Sequence, residues 1–338
     1  PMSDPAARLQ PVDSLTIDVI TDDVSDTYVT KTLFAVSEFA NIAKAGAKVI
    51  SGETLLVANL GLGLRFTLEY GGQKRRMLFD TGPEGAIFLR NCRNLAIDLA
   101  DIEAITMTHG HWDHMGALAD TVKEIKSRGG DVTVHVNPDM FYERAVKLPT
   151  GQIIPVAIVP SPAELEALGA KVVNNGDPQL LFDDHVYYSG EIPRITPFEK
   201  GRMDHLHRLT PTSPWEPDPL LMDERMVAID IKGLGIMVFS SCSHAGIVNV
   251  CLDIRRLFPD RPLYAAMGGL HLGGVMEKII PDTVKGVGQF GLKQLIVGHC
   301  TGWRALHALA NAYPDIVSQS AIGTTYTLSA DSVKVSPQ

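Results

Sequence analysis

Apolar positions along the chain recur with two periods, and the changes between them mark out the elements. Leu15–Thr21 alternates through Ile17 and Val19, which predicts a first strand closed by Asp22 and Asp23 in a solvated turn. Lys31–Ala47 places Leu33, Phe34, Val36, Phe39 and Ile42 at helical spacing, a stretch open to lining a pocket or a homodimer contact. Leu55–Tyr70 is strand-rich, Gly71-Gly72 turns the chain, and Arg76–Phe79 continues as a strand ending at Asp80-Thr81-Gly82. Ile102–Met107 is a further strand, and Leu118, Val122 and Ile125 then begin a helix. Val132–Val136 is a strand that carries His135 as a core or surface histidine. Met226–Ile231 and Gly235–Phe239 form a hairpin followed by a helix through Val248, Cys251, Leu252 and Leu257. Leu263–Met267 and Leu292–Val297 are buried strands, and Ala305–Ala312 is a helix.

Between Leu148 and Met222 the periodicity fails, and Pro193, Pro197, Pro211, Pro214, Pro217 and Pro219 crowd together. A stretch this long is not an ordinary connector. It predicts a lid with short strands of its own, covering a site without supplying its essential ligands. Arg194 is its candidate clamp for an anionic group and Trp215 for a flat or apolar one. His205 and His207 read as a solvated or substrate-facing pair.

The chemistry concentrates in one turn. Thr108-His109-Gly110-His111-Trp112-Asp113-His114 brings three imidazoles and a carboxylate between a strand and a helix, with Gly110 allowing the bend. Such donors suit zinc or a similar divalent metal. Three later strands also deliver a histidine at their C-terminal ends: His244, His271 and His299.

The His-x-His-x-Asp-His run resembles the signature of the metallo-β-lactamase superfamily. That resemblance implies an α/β fold, a four-layer αβ/βα sandwich, with one or two metal ions at the sheet edge. It makes His109, His111 and His244 the ligands of a first metal. Asp113, His114 and His299 become those of a second, or Asp113 orients the water if one metal binds. Asp80 would support the metal loop from behind. Cys242 is open to being a thiolate ligand, where many relatives place a bridging aspartate, or a small buried residue. His271 is open to ligating, but is favoured as a hydrogen-bond donor to substrate, so it joins Asp113 as a catalytic candidate. Cys300 is expected to pack inward.

Further runs narrow the resemblance: Asp223-Glu224, Cys242-Ser243-His244-Ala245-Gly246-Ile247-Val248-Asn249, Gly268-Gly269-Leu270-His271-Leu272 and His299-Cys300-Thr301-Gly302. With Asn91, Ile97-Asp98 and Ile192-Pro193-Arg194 they are similar to the branch named after 7,8-dihydropterin-6-methyl-4-(ribofuranosyl)aminobenzene-5′-phosphate synthase. Where relatives often carry Ala-Glu-His-Gly, this chain has Ala58-Asn59-Leu60-Gly61, two polar groups fewer.

A metal that lowers the pKa of bound water would make the chain a hydrolase of an ester, lactone, phosphoester or activated aryl small molecule. Zinc is the expected ion, with manganese and iron as alternatives. Synthase chemistry with a phosphoribosyl donor and a metal-dependent ligand sensor without turnover are the competing expectations.

Composition sets the frame. The 338 residues, 45% hydrophobic, suffice for one large domain over 14–330, with a loose segment at 1–13 and the lid at 148–222. A net charge of −9 argues against nucleic acid as partner. No apolar run reaches membrane-spanning length, and the start shows no secretory pattern. The four scattered cysteines suggest a reduced, cytoplasmic protein.

Overall fold

The computed structural model describes residues 5–27 and 34–332. Two mixed sheets pack face to face, and helices cover the outer face of each. The first sheet has the order Ala35–Val36, Thr325–Ser329, Ser14–Thr21, Gly63–Tyr70, Gln73–Phe79, Ala104–Thr106, Thr133–Val136 and Lys171–Asn174. Its last four strands run parallel to one another and the others are antiparallel. The second has the order Gln179–Leu181, Val186–Tyr188, Val227–Ile231, Gly235–Ser240, Leu263–Gly269, Gln294–Gly298 and Val317–Gln319, and its last four strands are likewise parallel.

Side-chain alternation explains the four layers. On Gly235–Ser240, Met237 and Phe239 join the core between the sheets, whereas Ile236 and Val238 face the helices Ile247–Leu257 and Trp303–Ala312. On the other side, Leu118, Val122 and Ile125 of the helix Leu118–Ser127 meet Phe88 and Cys92 of Gly85–Asn94 against Leu78 and Ile105. Phe66 and Phe239 meet across the sandwich with ring centroids 4.3 Å apart. The expected αβ/βα sandwich is the fold observed.

Several expectations change in detail. Of the expected helix Lys31–Ala47, residues 31–33 lie outside the described residues. Ala35–Val36 is a short edge strand and the helix runs only Glu38–Lys44. The strand expected from Leu55 begins at Gly63. Residues 148–222 do not form one insertion, because Lys171–Asn174, Gln179–Leu181 and Val186–Tyr188 extend the two main sheets. The covering layer is instead a four-stranded sheet of Ile153–Pro155, Glu143–Lys147, His205–Arg208 and Glu216–Pro217. Its second strand precedes the expected boundary. Periodicity missed this because the sheet strands within 148–222 are only two to four residues long.

The C-terminal ends of the parallel strands converge on one rim, where ligands of open α/β sheets bind. Asp80, Ser243, His271 and His299 sit there with φ of 56°, 56°, 46° and 46°. Such left-handed backbone costs a non-glycine residue about 1–3 kcal/mol and concentrates at functional sites.

Candidate metal centre

The turn after Ala104–Thr106 carries His109, His111, Asp113 and His114, the last two on the short helix Trp112–Met115. Gly110 serves close approach more than a bend: a Cβ there would lie 1.9 Å from the Met140 carbonyl oxygen. Its N–H donates to Asp223 Oδ2 at 2.7 Å, so the loop is tied to the second sheet.

Two donor groups result. His109, His111 and His244 each offer a ring nitrogen within 4.8 Å of the others. His109 Nε2 and His244 Nε2 are buried without a hydrogen-bond partner. Buried polar atoms ordinarily find one, so a pair converging on one point fits an ion. The second group is Asp113, His114, Cys242 and His299. Cys242 Sγ lies 3.2 Å from both His114 Nε2 and His299 Nε2. Asp113 Oδ2 lies 3.5 and 3.4 Å from the same nitrogens. Tetrahedral bonds of about 2.0–2.3 Å place donors about 3.3–3.8 Å apart. These spacings suit a divalent ion, and Cys242 Sγ stands among the candidate donor atoms.

The tautomers are fixed from behind. Asp80, fully buried, accepts from Thr108 N at 2.8 Å and Thr108 Oγ1 at 2.7 Å. Because the hydroxyl proton of Thr108 goes to Asp80, its oxygen accepts from His109 Nδ1 at 2.9 Å. His114 Nδ1 donates to Asp80 Oδ2 at 2.8 Å, with Ser241 Oγ also 2.8 Å away. His299 Nδ1 donates to Asp23 Oδ1 at 2.9 Å. All three imidazoles thus turn an Nε2 lone pair toward the rim, as ligation requires.

Burial holds His109, His111 and His244 well below the usual histidine range, helped by His114, Arg144 and His271 respectively. They are therefore neutral donors. The second group differs. Burial pushes His114 down, but the Asp113 charge and bonds to Asp113 and Asp80 bring it up to about 9. His299 likewise rises well above its usual range, against burial, through Cys300, Asp113 and Asp23. Burial would raise Asp113, yet His114 and His299 hold it well below the carboxylate range. Protons and a metal compete for these Nε2 atoms.

The other sequence candidates divide. His271 adjoins the donors: its ring lies 4.3 Å from that of His244, and it groups with Cys242 and His244. His205 is buried, not solvated, with its ring 5.5 Å from those of His111 and His244 and Nδ1 unpartnered. His207 instead stacks on Tyr142 at 5.0 Å beside Asp218. Trp215 packs on the Arg208 guanidinium at 4.4 Å, which occupies its face. Arg194 is not an anion clamp. Its Nη1 and Nη2 donate to the carbonyls of Ile192, Leu220 and Leu221, so its charge is spent on backbone. Cys300 Sγ lies 3.4 Å from Cys242 Sγ.

Sequence reasoning missed three supports. Asp22 and Asp23 are not a solvated turn. Asp22 is fully buried, accepts from His299 N at 2.8 Å, and is pushed up to about 6 by burial. Asp23 also accepts from Gly61 N at 3.0 Å. Glu224 accepts from His244 N and Ala245 N at 2.8 and 2.6 Å, holding the turn that presents His244. The available signal was position: acidic residues directly after, or before, a buried strand on the same rim.

A family model described as the Metallo-beta-lactamase superfamily matches residues 62–177. That stretch includes the metal loop, and over it the chain is similar to this superfamily. Among curated proteins it is similar to the 7,8-dihydropterin-6-methyl-4-(beta-D-ribofuranosyl)-aminobenzene-5′-phosphate synthase of Methanocaldococcus jannaschii. The two are 29% identical over 252 residues, 72% of this chain and 82% of that protein. An uncharacterized protein of the same organism is 26% identical over 70% of this chain and 83% of its own length. The fold matches the crystal structure of Tm1679, a metal-dependent hydrolase of the beta-lactamase superfamily, with TM-score 0.67 at 20% identity, over 93% of this chain and 99% of that one. Superfamily members typically bind divalent metals, and both donor groups are of that kind. Among the described residues no helix is long and apolar enough to cross a membrane.

Cys242→Ser tests the thiolate assignment. A hydroxyl is a harder donor than a thiolate and stays protonated, so zinc affinity at the second group is expected to fall by at least about 10-fold while the first group keeps its ion. Competitive chelator titration measures this. Equal zinc affinity in the variant would make Cys242 a packing residue.

Proposed function

We propose that the chain is a metal-dependent hydrolase of a small molecule, acting on an ester, lactone, phosphoester or activated aryl bond. The observation that carries this reading is the tetrahedral spacing of Asp113, His114, Cys242 and His299 beside the orphaned Nε2 atoms of His109 and His244. Imidazole and thiolate donors favour zinc or iron, with manganese less suited to the sulfur. A divalent ion held here supplies Lewis acidity and an activated water. The protein's own part is orientation. Asp80 and Asp23 set the imidazoles, and Asp113, in the Oδ2 geometry described, is the carboxylate that orients a nucleophile if only the first group is filled. His271 lies where it can donate to developing negative charge, with Arg202 Nη1 3.4 Å from its Nε2. Four cysteines outside any disulfide fit a reducing cytoplasm.

Chelator-free purification is expected to yield one to two equivalents of transition metal per chain, and a panel of aryl esters, lactones and phosphoesters is expected to show turnover that chelation abolishes. Protein without transition metal, or metal-loaded protein inert on the whole panel, would end this reading. The competing reading is synthase chemistry of the kind named for the Methanocaldococcus relative, favoured by 29% identity. Arg194 supplies no phosphate clamp for it. Incubation with an aminobenzene acceptor and a phosphoribosyl donor separates the two.

A further inference from the structure

Beside the donor groups lies a narrow pocket. It is lined by His244, His271 and Ser243 together with Ile247, Leu270 and Met276, and its volume of about 20 Å³ has room for one small polar group, the rest of a ligand lying outside it. Among the described residues lining it, Arg202 is the one lysine or arginine. Its guanidinium is held rigidly. Nε donates to Asp204 Oδ1 at 2.9 Å, and Nη2 donates to Asp204 Oδ2. That engages one edge of the fork. Nη1 donates one proton to His271 Nε2 at 3.4 Å, which leaves its other proton and the second Nη2 proton along the next edge. An arginine fork fixed along one edge presents two parallel donors along the next, the geometry that matches a carboxylate or phosphate.

The acidic residue of the lining does not oppose an anion. Glu199 is buried, and its carboxylate accepts from Val248 N, Asn249 N and Thr196 Oγ1 at 2.9, 2.8 and 2.9 Å. It is turned into the first N–H groups of the helix Ile247–Leu257, which offset its charge. With that carboxylate held by the helix N–H groups, Arg202 is the charged side chain in the lining whose donors are not all engaged.

We infer that Arg202 determines specificity, selecting substrates that carry a compact oxyanion, carboxylate or phosphate, on an apolar stem. This rests on the reading that the centre acts on a small molecule. It assigns to Arg202 the role that sequence reasoning gave to Arg194.

The test has two parts on metal-loaded protein, with Arg202→Met and Arg202→Lys beside wild type. First, calorimetric titration uses benzoate, phenyl phosphate and uncharged benzamide, so the arms distinguish carboxylate from phosphate. Wild type is expected to bind one or both anions and not benzamide. Arg202→Met should weaken the anion at least about 10-fold, and Arg202→Lys, which keeps charge without the fork, should fall between. Metal content and thermal melting must match wild type, which separates recognition from a lost ion or fold. Second, a carboxylate-bearing aryl ester and its uncharged methyl ester are compared. Arg202→Met is expected to lower the ratio of kcat/KM for the charged ester to that for the neutral ester about 10-fold. Wild type that binds neither anion, or variants that bind them equally well, would overturn the assignment. If no ester is turned over but the titration behaves as stated, the hydrolase reading fails and the oxyanion site stands.

Discussion

His114→Ala is expected to remove the ion of the second donor group and to lower kcat/KM by more than about 100-fold, beyond what losing an outer partner costs. His114 joins the two halves of the site: Nε2 stands 3.2 Å from Cys242 Sγ and 3.5 Å from Asp113 Oδ2, while Nδ1 is held by Asp80. Alanine leaves three donors and an enlarged, polar cavity. His111→Ala should instead empty the first group, because His109 and His244 alone offer two ligands there. Metal content per chain therefore falls by about one equivalent in each variant, and by different ions. Zinc and cobalt loading in turn, read by metal analysis and absorption, would tell the two apart. The fold should persist in both. The three large cores are built from other residues, and the loss of one hydrogen bond to Asp80 costs about 1–3 kcal/mol. Circular dichroism checks that. Full metal content with normal turnover in both variants would contradict the assignment of these imidazoles.

The sandwich was legible because its inner strands alternate so cleanly. Met237 and Phe239 face one core and Ile236 and Val238 the other. The metal loop was legible because four donors fall within six residues and a strand and a helix flank them. What the sequence could not display was contact across distance. Asp23 and His299 are 276 positions apart, and nothing in either run announces that one orients the other. Arg194 and Arg202 look alike as letters. Only the fold shows that the first spends its donors on the carbonyls of Ile192, Leu220 and Leu221, whereas the second is braced by Asp204 beside His271. Likewise the pair His205 and His207 shares a strand, yet one reaches the imidazole cluster and the other stacks on Tyr142, because the strand carries them past different neighbours. The short strands within 148–222 are set by pairing with the main sheets, which local periodicity does not report.

Asp80 offers the sharpest separation of structure from chemistry. Its carboxylate accepts three hydrogen bonds while fully buried, from Thr108 N, Thr108 Oγ1 and His114 Nδ1. Asp80→Ala strands the Thr108 N–H in a buried space and leaves His114 Nδ1 with Ser241 Oγ as its partner, and an unsatisfied buried donor costs about 1–3 kcal/mol. A loss of about 1–3 kcal/mol is expected in chemical denaturation, with metal affinity reduced about 10–100-fold as the imidazoles lose orientation. Asp80→Asn is nearly isosteric and removes the ambiguity. Either orientation of the amide sets an NH2 group against a donor. If it faces Thr108 N, the Thr108 N–H is left unpaired. If it faces Thr108 Oγ1 and His114 Nδ1, the His114 proton must move to Nε2. The hydroxyl of Thr108 then turns its proton toward His109 Nδ1, and His109 too becomes protonated on Nε2. Both metal groups lose a lone pair through one changed atom. The expected result is a folded protein with a smaller stability loss than the alanine variant and metal affinity lowered in both groups. Nitrogen NMR of the imidazoles reads the tautomers directly. If Asp80→Asn keeps both Nδ1–H tautomers and binds metal as wild type does, Asp80 serves only the turn after Gln73–Phe79 and does not orient the ligands.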